Sequence, residues 1–600
     1  MKNIQIMIGY IFMMALMMPM MAVADVVTKK NVAHSTQDDS PRALNHIGQT
    51  YFVYYDEQNN LLMSDQNAKK IHVIAKKDDG EKKSYNGAFS MEGNMYFIWR
   101  PKLTSASSDG GRAGDKHLMF RASYDGGKTI SKPVRLDSGM GAFHPQPLVS
   151  DGDKHLYLAW LDERDGGASY GVFLNYSEDQ GKSWLKHDIR MTGKGVQALD
   201  PFIVVDGKQV WLGWTEVNQK THNMILKMRI STDGGKNWSR EKIIPSPKGQ
   251  ITGPRLVKIN EALLLGYYMH GSGILISRSM DNGKTWGTPA VLPGTKQKGS
   301  NGFKFASDAK ENVCLAWSGP ASLGKTMKSD IYASCSHDAG QSWDLLRRLD
   351  TNTPHFTHSL VSDIAMDTHG NVAVAWQDSR HIRPHIYINY SLDAGKNWLE
   401  RDISIHSKGR SFAVNPSLSS LGGGEFALVW ENKKTDSRVG EHVLSYTHVK
   451  LGKCLQLRAG ESGEICPQQQ LSEKDLASRK KRLKERELEF WNHYVNRDFG
   501  KAFRMFDPFV RQSISEQSFI DKIGKFIYLK AELTDEEAMI TENHGKVGIT
   551  VTVEAPDVGV ALGKKLALER QEKTFDEAWI WIDGDWFKVY ELSNGSFLPL

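Results

Sequence analysis

Ser231-Thr-Asp-Gly-Gly-Lys-Asn-Trp238 is the stretch on which the fold of this 600-residue chain is read. Its pattern, Ser-x-Asp-x-Gly-x-x-Trp, recurs from Ser123 (SYDGGKTI, with Ile130 in the Trp place), Ser177 (SEDQGKSW), Ser279 (SMDNGKTW), Ser336 (SHDAGQSW) and Ser391 (SLDAGKNW). Successive starts lie 54, 54, 48, 57 and 55 residues apart. A near-constant period of about 40 to 55 residues marks a repeat architecture, each unit being one supersecondary element stacked on the next. Within the box, the Asp carboxylate is suited to accept backbone N–H groups across a turn. The Gly at the fifth place supplies a positive φ. The Trp buries a large ring beside a neighbouring strand or blade. These are structural tasks, so the boxes report fold rather than chemistry.

Outward from Ser231 the unit reads PFIVVDG, QVWLGWTE, HNMILKMRIS, the box, then EKIIP. Three short β-rich runs precede the box and one follows, separated by turn residues. The second run returns as TYFVYYDE, MYFIWRP, LYLAWLDE, LLLGYYM, VCLAWSG, VAVAWQD and FALVWEN, which makes eight candidate units over 41–453. A repeated four-stranded antiparallel meander closes into a β-propeller. The expectation is a mainly β chain whose propeller has seven or eight blades.

This pattern and period resemble the Asp-box (BNR) repeats of the sialidase superfamily, over about two thirds of the chain. The resemblance implies a propeller and, for the catalytic members, three arginines clamping a substrate carboxylate, a Tyr–Glu nucleophile and an Asp acid/base. The first arginine of that family lies in an Arg-Ile-Pro motif, which is absent. Pro41-Arg42-Ala43 is the nearest stand-in, with Arg255 (in GPRLV) and Arg410 as further clamp candidates. No Tyr–Glu pair is placed. The departure favours a propeller that binds a glycan or other anionic ligand or partner over one that hydrolyses, the alternative being an exo-α-sialidase.

In this strand order, ligand-facing residues come from the second-to-third-strand and blade-to-blade connections. The first set holds Asp56, Arg100, Asp162, Arg164, Glu216, Asp378, Arg380, Arg383 and Glu431; the second holds Arg42, His144, Asp200, Arg255, His355, His358 and Arg410. Guanidinium forks match carboxylates bidentately, so an arginine-bearing rim suits an anionic ligand. WLDERDGGASYGVFLNYS (160–177) and WQDSRHIRPHIYINYS (376–391) share Trp-x-Asp-x-Arg. That pair reads either as a salt bridge fixing a loop or as ligand contact from two blades. His355, His358, His381 and His385 cluster in the seventh unit; hydrogen-bonding histidines are expected rather than a metal site with Asp378. No metal and no cofactor is expected.

After Cys466 the texture changes. Residues 454–484 read as a linker and the start of a helix, and 485–600 as a small α+β domain. Leu483, Leu488, Trp491 and Tyr494 fall at helical spacing. Strand-like runs follow, ending in WIDGDWFKVYEL with Asp583-Gly584 as a hairpin turn. Helices first and a sheet after resemble the NTF2-like (cystatin-like) fold, which implies a pocket and a possible homodimer.

Lys2, the apolar run Ile4–Val23 and Ala22-Val23-Ala24 read as a signal peptide over 1–24, giving a periplasmic or secreted protein. Four cysteines suit that compartment, with Cys314 and Cys335 on neighbouring strands and Cys454 and Cys466 around a short loop. The net charge of +6 is small for this length, and the basic residues do not alternate with aromatics, which argues against nucleic acid. Partners are expected among glycans or envelope proteins.

Overall fold

The computed structural model describes most residues between Arg42 and Val589. Residues 1–41, 590–600 and internal stretches, the longest being 101–116, lie outside that description. The signal-peptide reading falls on the first of these. Among the described residues no helix is long and apolar enough to cross a membrane. The chain divides into two compact units, the first ending at Pro467 and the second holding the later residues together with the short segment Ser379–Ile382, each treated by itself.

The first unit is a succession of eight antiparallel sheets, each built from a contiguous piece of chain. The fourth is representative: Ala198–Asp206, Gln209–Val217, Met224–Ser231 and Lys242–Ile244 pair in chain order. First strands neighbour one another around the unit: Ala198–Asp206 meets Ile251–Ile259, which meets Lys304–Ser307, and so on to Phe412–Gly422. Arg42–His46 touches both the next first strand, Ser84–Met91, and the last, Phe412–Gly422, so the succession closes on itself. This is a β-propeller, in which radial repetition removes the long exposed sheet edges that invite aggregation.

Second strands carry the core. Leu156–Asp162 is buried at every position, as expected for a strand covered on both faces. Trp99, Trp160, Trp214, Trp317, Trp376 and Trp430 from these strands are all at most 2% exposed and sit in the inter-sheet clusters. Burying such a ring contributes about 1.5–3 kcal/mol or more. The eighth sheet runs past Lys453, the expected limit of the propeller. Leu455–Leu457 and Gly463–Ile465 are its last two strands, and Cys454–Cys466 closes the ends of that hairpin. The sequence reading placed a linker there because its polar loop outweighs three-residue strands.

The box hydrogen bonds account for the recurring residues. In the fourth sheet Ser231 Oγ donates to Asp233 Oδ1 at 2.8 Å and accepts from Gly235 N at 2.9 Å. Asn237 gives its backbone N–H to Asp233 Oδ1 (2.9 Å) and its side-chain amide to Oδ2 (2.7 Å). Those bonds from Asn237 and then Ser231 hold the Asp233 carboxyl down at about 2. Gly235 has φ +89°, and a Cβ there would lie 3.3 Å from the Tyr157 ring of the preceding sheet. The glycine therefore answers both a conformational and a packing demand. Trp184 of the third sheet stands edge-on to Phe120 of the second, centroids 5.1 Å apart, so each box staples one sheet to its predecessor.

The second unit is α+β. Helix α1 (Glu473–Val495) starts at Ser472, whose side chain accepts from Asp475 N, and buries Leu483, Phe490, Trp491 and Tyr494. Helices α2 (Phe499–Arg504) and α3 (Glu516–Ile523) follow. Behind them a sheet is ordered Ile527–Leu533, His544–Glu554, Gln571–Ile582, Asp585–Lys588. The last turn pairs Ile582 with Asp585 and has Gly584 at φ +95°, the two-residue hairpin expected from Asp-Gly.

Candidate functional site

The connections expected to face a ligand leave the ends of the second strands. Asp162 pairs with Ala142, Glu216 with Ala198, Asp378 with Ser359 and Glu431 with Val414. Each of these acids therefore sits at the end of its sheet remote from the box hairpin. Arg42, Arg100 and Arg383 lie in strands, but their side chains are outside the described residues, as are Asp56, His144, His355, Arg410 and the side chain of His381.

In the third sheet the Trp-x-Asp-x-Arg motif forms an ion-pair network. Arg164 Nη2 donates to Asp162 Oδ2 at 2.7 Å and to Asp188 Oδ2 at 2.8 Å, while Nη1 donates to Asp188 Oδ1 at 2.8 Å. Asp188 in turn accepts the backbone N–H and hydroxyl of Ser138. Desolvation works against the guanidinium's charge, but the hydrogen bonds it donates to Asp162 and Asp188 outweigh it and raise its pKa. The plane also lies 3.8 Å from the Phe173 ring centre. Arg164 is thus occupied in tying a second-strand end to the outer strand. Of the two readings of this motif, the loop-fixing one describes this geometry.

The seventh sheet carries the same motif with a different setting. Asp378 is fully buried and Arg380 is 7% exposed. Thr351 gives its N–H and hydroxyl to Asp402 at 3.0 and 2.7 Å, as Ser138 does to Asp188. Next to this lies a cluster of buried acids that sequence reasoning missed: Asp330, Asp350 and Asp378, all at most 2% exposed. Ser359 Oγ lies 2.7 Å from Asp350 Oδ2 and 2.9 Å from Asp378 Oδ2. Arg348 Nε reaches Asp350 Oδ1 at 3.0 Å and Asp330 Oδ2 at 3.1 Å. Desolvation, opposed by Arg348 and reinforced by Asp330 and Asp378, pushes the Asp350 carboxyl up to about 7. Only its place in RRLD, repeated as VRLD at Val134–Asp137, could have pointed to it from sequence.

Arg255 differs from Arg164 and Arg348. It lies on a first strand, just past an irregularity between Thr252 and Arg255, and its side chain is exposed. It makes no hydrogen bond or ion pair among the described residues. Neighbouring strands nevertheless crowd the guanidinium enough to draw its pKa below the usual value, with Asp200 opposing. Asp200 sits at the equivalent irregularity of the fourth sheet with φ +45°, a conformation costly outside glycine though tolerated by Asp. On the next first strands Lys304 pairs with Asp363 at 3.0 Å. Glu216 is engaged by Lys227 at 2.7 Å, and Asn415 Nδ2 approaches buried Glu431 at 3.4 Å.

The cysteines pair as Cys314–Cys335, across facing positions of adjacent strands, and Cys454–Cys466. Among the described residues, Cys454, Glu464 and Cys466 are the one set of potential ligands close enough to share an ion. The thiols there are bonded to each other, which leaves them unfit for a metal. In the second unit, Glu487 (0% exposed) accepts from Trp491 Nε1 at 2.8 Å and from Trp579 Nε1. Lys588 lies between Glu487 and Glu577, 4.5 Å from the centre of the Phe490 ring.

Fold and box chemistry together define an Asp-box β-propeller. Residues 229–240 match the BNR/Asp-box repeat. No curated protein matches the chain. Among solved structures, the chain is similar to the NanB sialidase from Streptococcus pneumoniae (11% identity, TM-score 0.33, covering 67% of this chain and 83% of that one). It is also similar to a Trypanosoma rangeli sialidase (12%, 0.36, 76% and 63%) and to an ulvan lyase of polysaccharide lyase family PL25 (12%, 0.39, 76% and 98%). Likeness at this level says nothing about activity.

Proposed function

We propose that the protein is an exported, sialidase-like propeller that binds an anionic glycan, or an anionic group on an envelope partner, on its central face without catalysis. The observation that carries this is Arg255, an exposed cation on a first strand with no side-chain bond of its own. Arg164, by contrast, is neutralised by two carboxylates, so the arginine-rich rim read from sequence contracts to fewer available forks. An unpaired guanidinium offers a carboxylate or sulfate two parallel N–H donors. The second unit, in this reading an NTF2-like domain, docks or dimerises.

A sialidase-type hydrolase is the second reading. What favours it is Asp350, a carboxyl kept protonated near neutrality, as a general acid must be. Its burial keeps it from touching a ligand, which ranks this reading below binding. Incubating the mature protein with a fluorogenic sialoside and probing it on a glycan array separates the two. Retention of acidic glycans without turnover, lost in Arg255→Ala, supports binding. Turnover abolished by the same change supports hydrolysis, and retention unaffected by Arg255→Ala refutes the assigned role of that residue.

A further inference from the structure

The second-to-third and sixth-to-seventh seams are built alike, and comparing them isolates what is unusual in the latter. At the first seam Leu118 N donates to Asp137 Oδ1 at 2.6 Å, Arg135 reaches Asp137 at 3.2 Å, and His117 Nδ1 lies 3.1 Å from Asp137 Oδ2. At the second, Ile331 N donates to Asp350 Oδ1 at 3.1 Å and Arg348 takes the place of Arg135. Where His117 precedes Leu118, Asp330 precedes Ile331. Where Ala142 pairs with Asp162, Ser359 pairs with Asp378. A group able to carry positive charge has become a carboxylate, and an inert methyl has become a hydroxyl.

Both changes point to a bound proton. A serine hydroxyl has one hydrogen, yet Ser359 Oγ lies within hydrogen-bonding distance of both Asp350 and Asp378. It can donate to only one, so the second contact is a hydrogen bond only if that carboxyl is protonated and donates to Oγ. Independently, Asp330 Oδ1 is buried without a partner in a residue only 2% exposed, an arrangement that costs free energy unless positive charge is close. The other groups at the seam are Tyr332, whose hydroxyl is 3.3 Å from Asp330 Oδ2, Trp376 Nε1 at 3.3 Å from Asp378 Oδ2, His358 beside Ser359, buried Arg380 on the Asp378 strand, and Asp402 beyond Thr351. The acids do not converge closely enough to share one ion.

We propose that the sixth-to-seventh seam is a proton-controlled latch, closed while Asp350 and Asp378 share a proton through Ser359 and loosened when that proton leaves. Two carboxylates that close cannot both ionise without repulsion. The apolar cluster directly behind them, with Ile331, Leu349, Ile364 and Trp376, carries the strain outward into the packing of the two sheets. The second-to-third seam, with His117 and Arg135 around a single Asp137, has no second carboxylate with which to share a proton.

Amide hydrogen exchange on the full chain across pH 5 to 8.5 tests this, after correction for intrinsic exchange. Ile331 N–H, bonded to Asp350, reports the latch, and Leu118 N–H, in the equivalent place, is the internal control. The opening constant at Ile331 should rise by up to about tenfold per pH unit from pH 5 to near neutrality, where the closed seam keeps a proton that the opened one releases, and level off above it, while that at Leu118, read in His117→Gln so that the histidine does not intrude, stays level. Asp350→Asn, which mimics the protonated acid, should flatten the Ile331 profile. Should that variant fold poorly, Ser359→Ala should also remove the coupled step, and Asp330→His, which takes away a carboxylate that raises the Asp350 carboxyl, should move it to lower pH. A flat Ile331 profile in the parent protein, or equal slopes at Ile331 and Leu118, overturns the proposal.

Discussion

Replacing Arg164 by Leu removes the cation that bonds both Asp162 and Asp188, whose side chains are 0% and 2% exposed. Breaking a buried pair by deleting one partner costs about 3–5 kcal/mol, because the remaining charge is left uncompensated. Arg164 itself is 22% exposed, so water softens the loss and the lower end, about 3 kcal/mol, is expected. The stacked guanidinium over Phe173 adds about 0.5–1 kcal/mol, which leucine partly restores by packing. The pH dependence follows from Asp188. Desolvation favours its neutral form, but the hydrogen bonds from Arg164 and Ser138 outweigh that and hold its pKa below the ordinary value. A depressed carboxylate contributes stability above its unfolded pKa, and that contribution fades as pH falls through the folded value. The deficit of Arg164→Leu should therefore be full at pH 8 and shrink below about pH 4. Urea unfolding followed by tryptophan fluorescence, with the propeller transition fitted separately, measures it at each pH. A loss under about 1 kcal/mol at pH 8, or one equally large at pH 3.5, would refute the structural role. Intact stability with abolished ligand retention would reinstate the contact role.

Arg255→Ala should leave the urea midpoint within about 0.5 kcal/mol of the parent while abolishing retention on acidic glycans, as equilibrium binding would show. Gly235→Ala should destabilise the propeller by about 1–3 kcal/mol, since φ +89° and the nearby Tyr157 ring both resist a Cβ; calorimetry would measure it, and an unchanged midpoint would count against the box account. Lys588→Met should cost the second unit about 3–5 kcal/mol by leaving Glu487 and Glu577 facing each other. Adding Glu487→Gln should recover part of that loss in a double-mutant cycle.

The repeat was legible because its residues solve a local problem. Ser, Asp and Gly of each box bond within one hairpin, so their spacing along the chain is itself the geometry, and six copies at one period imply radial stacking. The second-strand tryptophans were legible for a related reason, since a run buried on both faces has a recognisable composition. Asp200 and Arg255, read from sequence as blade-to-blade connections, lie within first strands, and Asp162, Glu216, Asp378 and Glu431 lie within second strands. Their tasks were not readable, because a task depends on what arrives from elsewhere in the chain. Arg164 looked available until Asp188, 24 positions away in sequence, closed on it from the outer strand.

By itself, then, the order of residues determined the blade, its box and the tally of arginines offered to one end of the propeller. The tertiary structure alone decided that Arg164 is held between two carboxylates while Arg255 makes no such bond among the described residues. It also brought Asp330, Asp350, Ser359 and Asp378 from four strand ends into one dry seam. Short-range hydrogen bonds are written into sequence spacing, whereas the protonation of a carboxyl is set by the burial and charges that distant segments impose upon it.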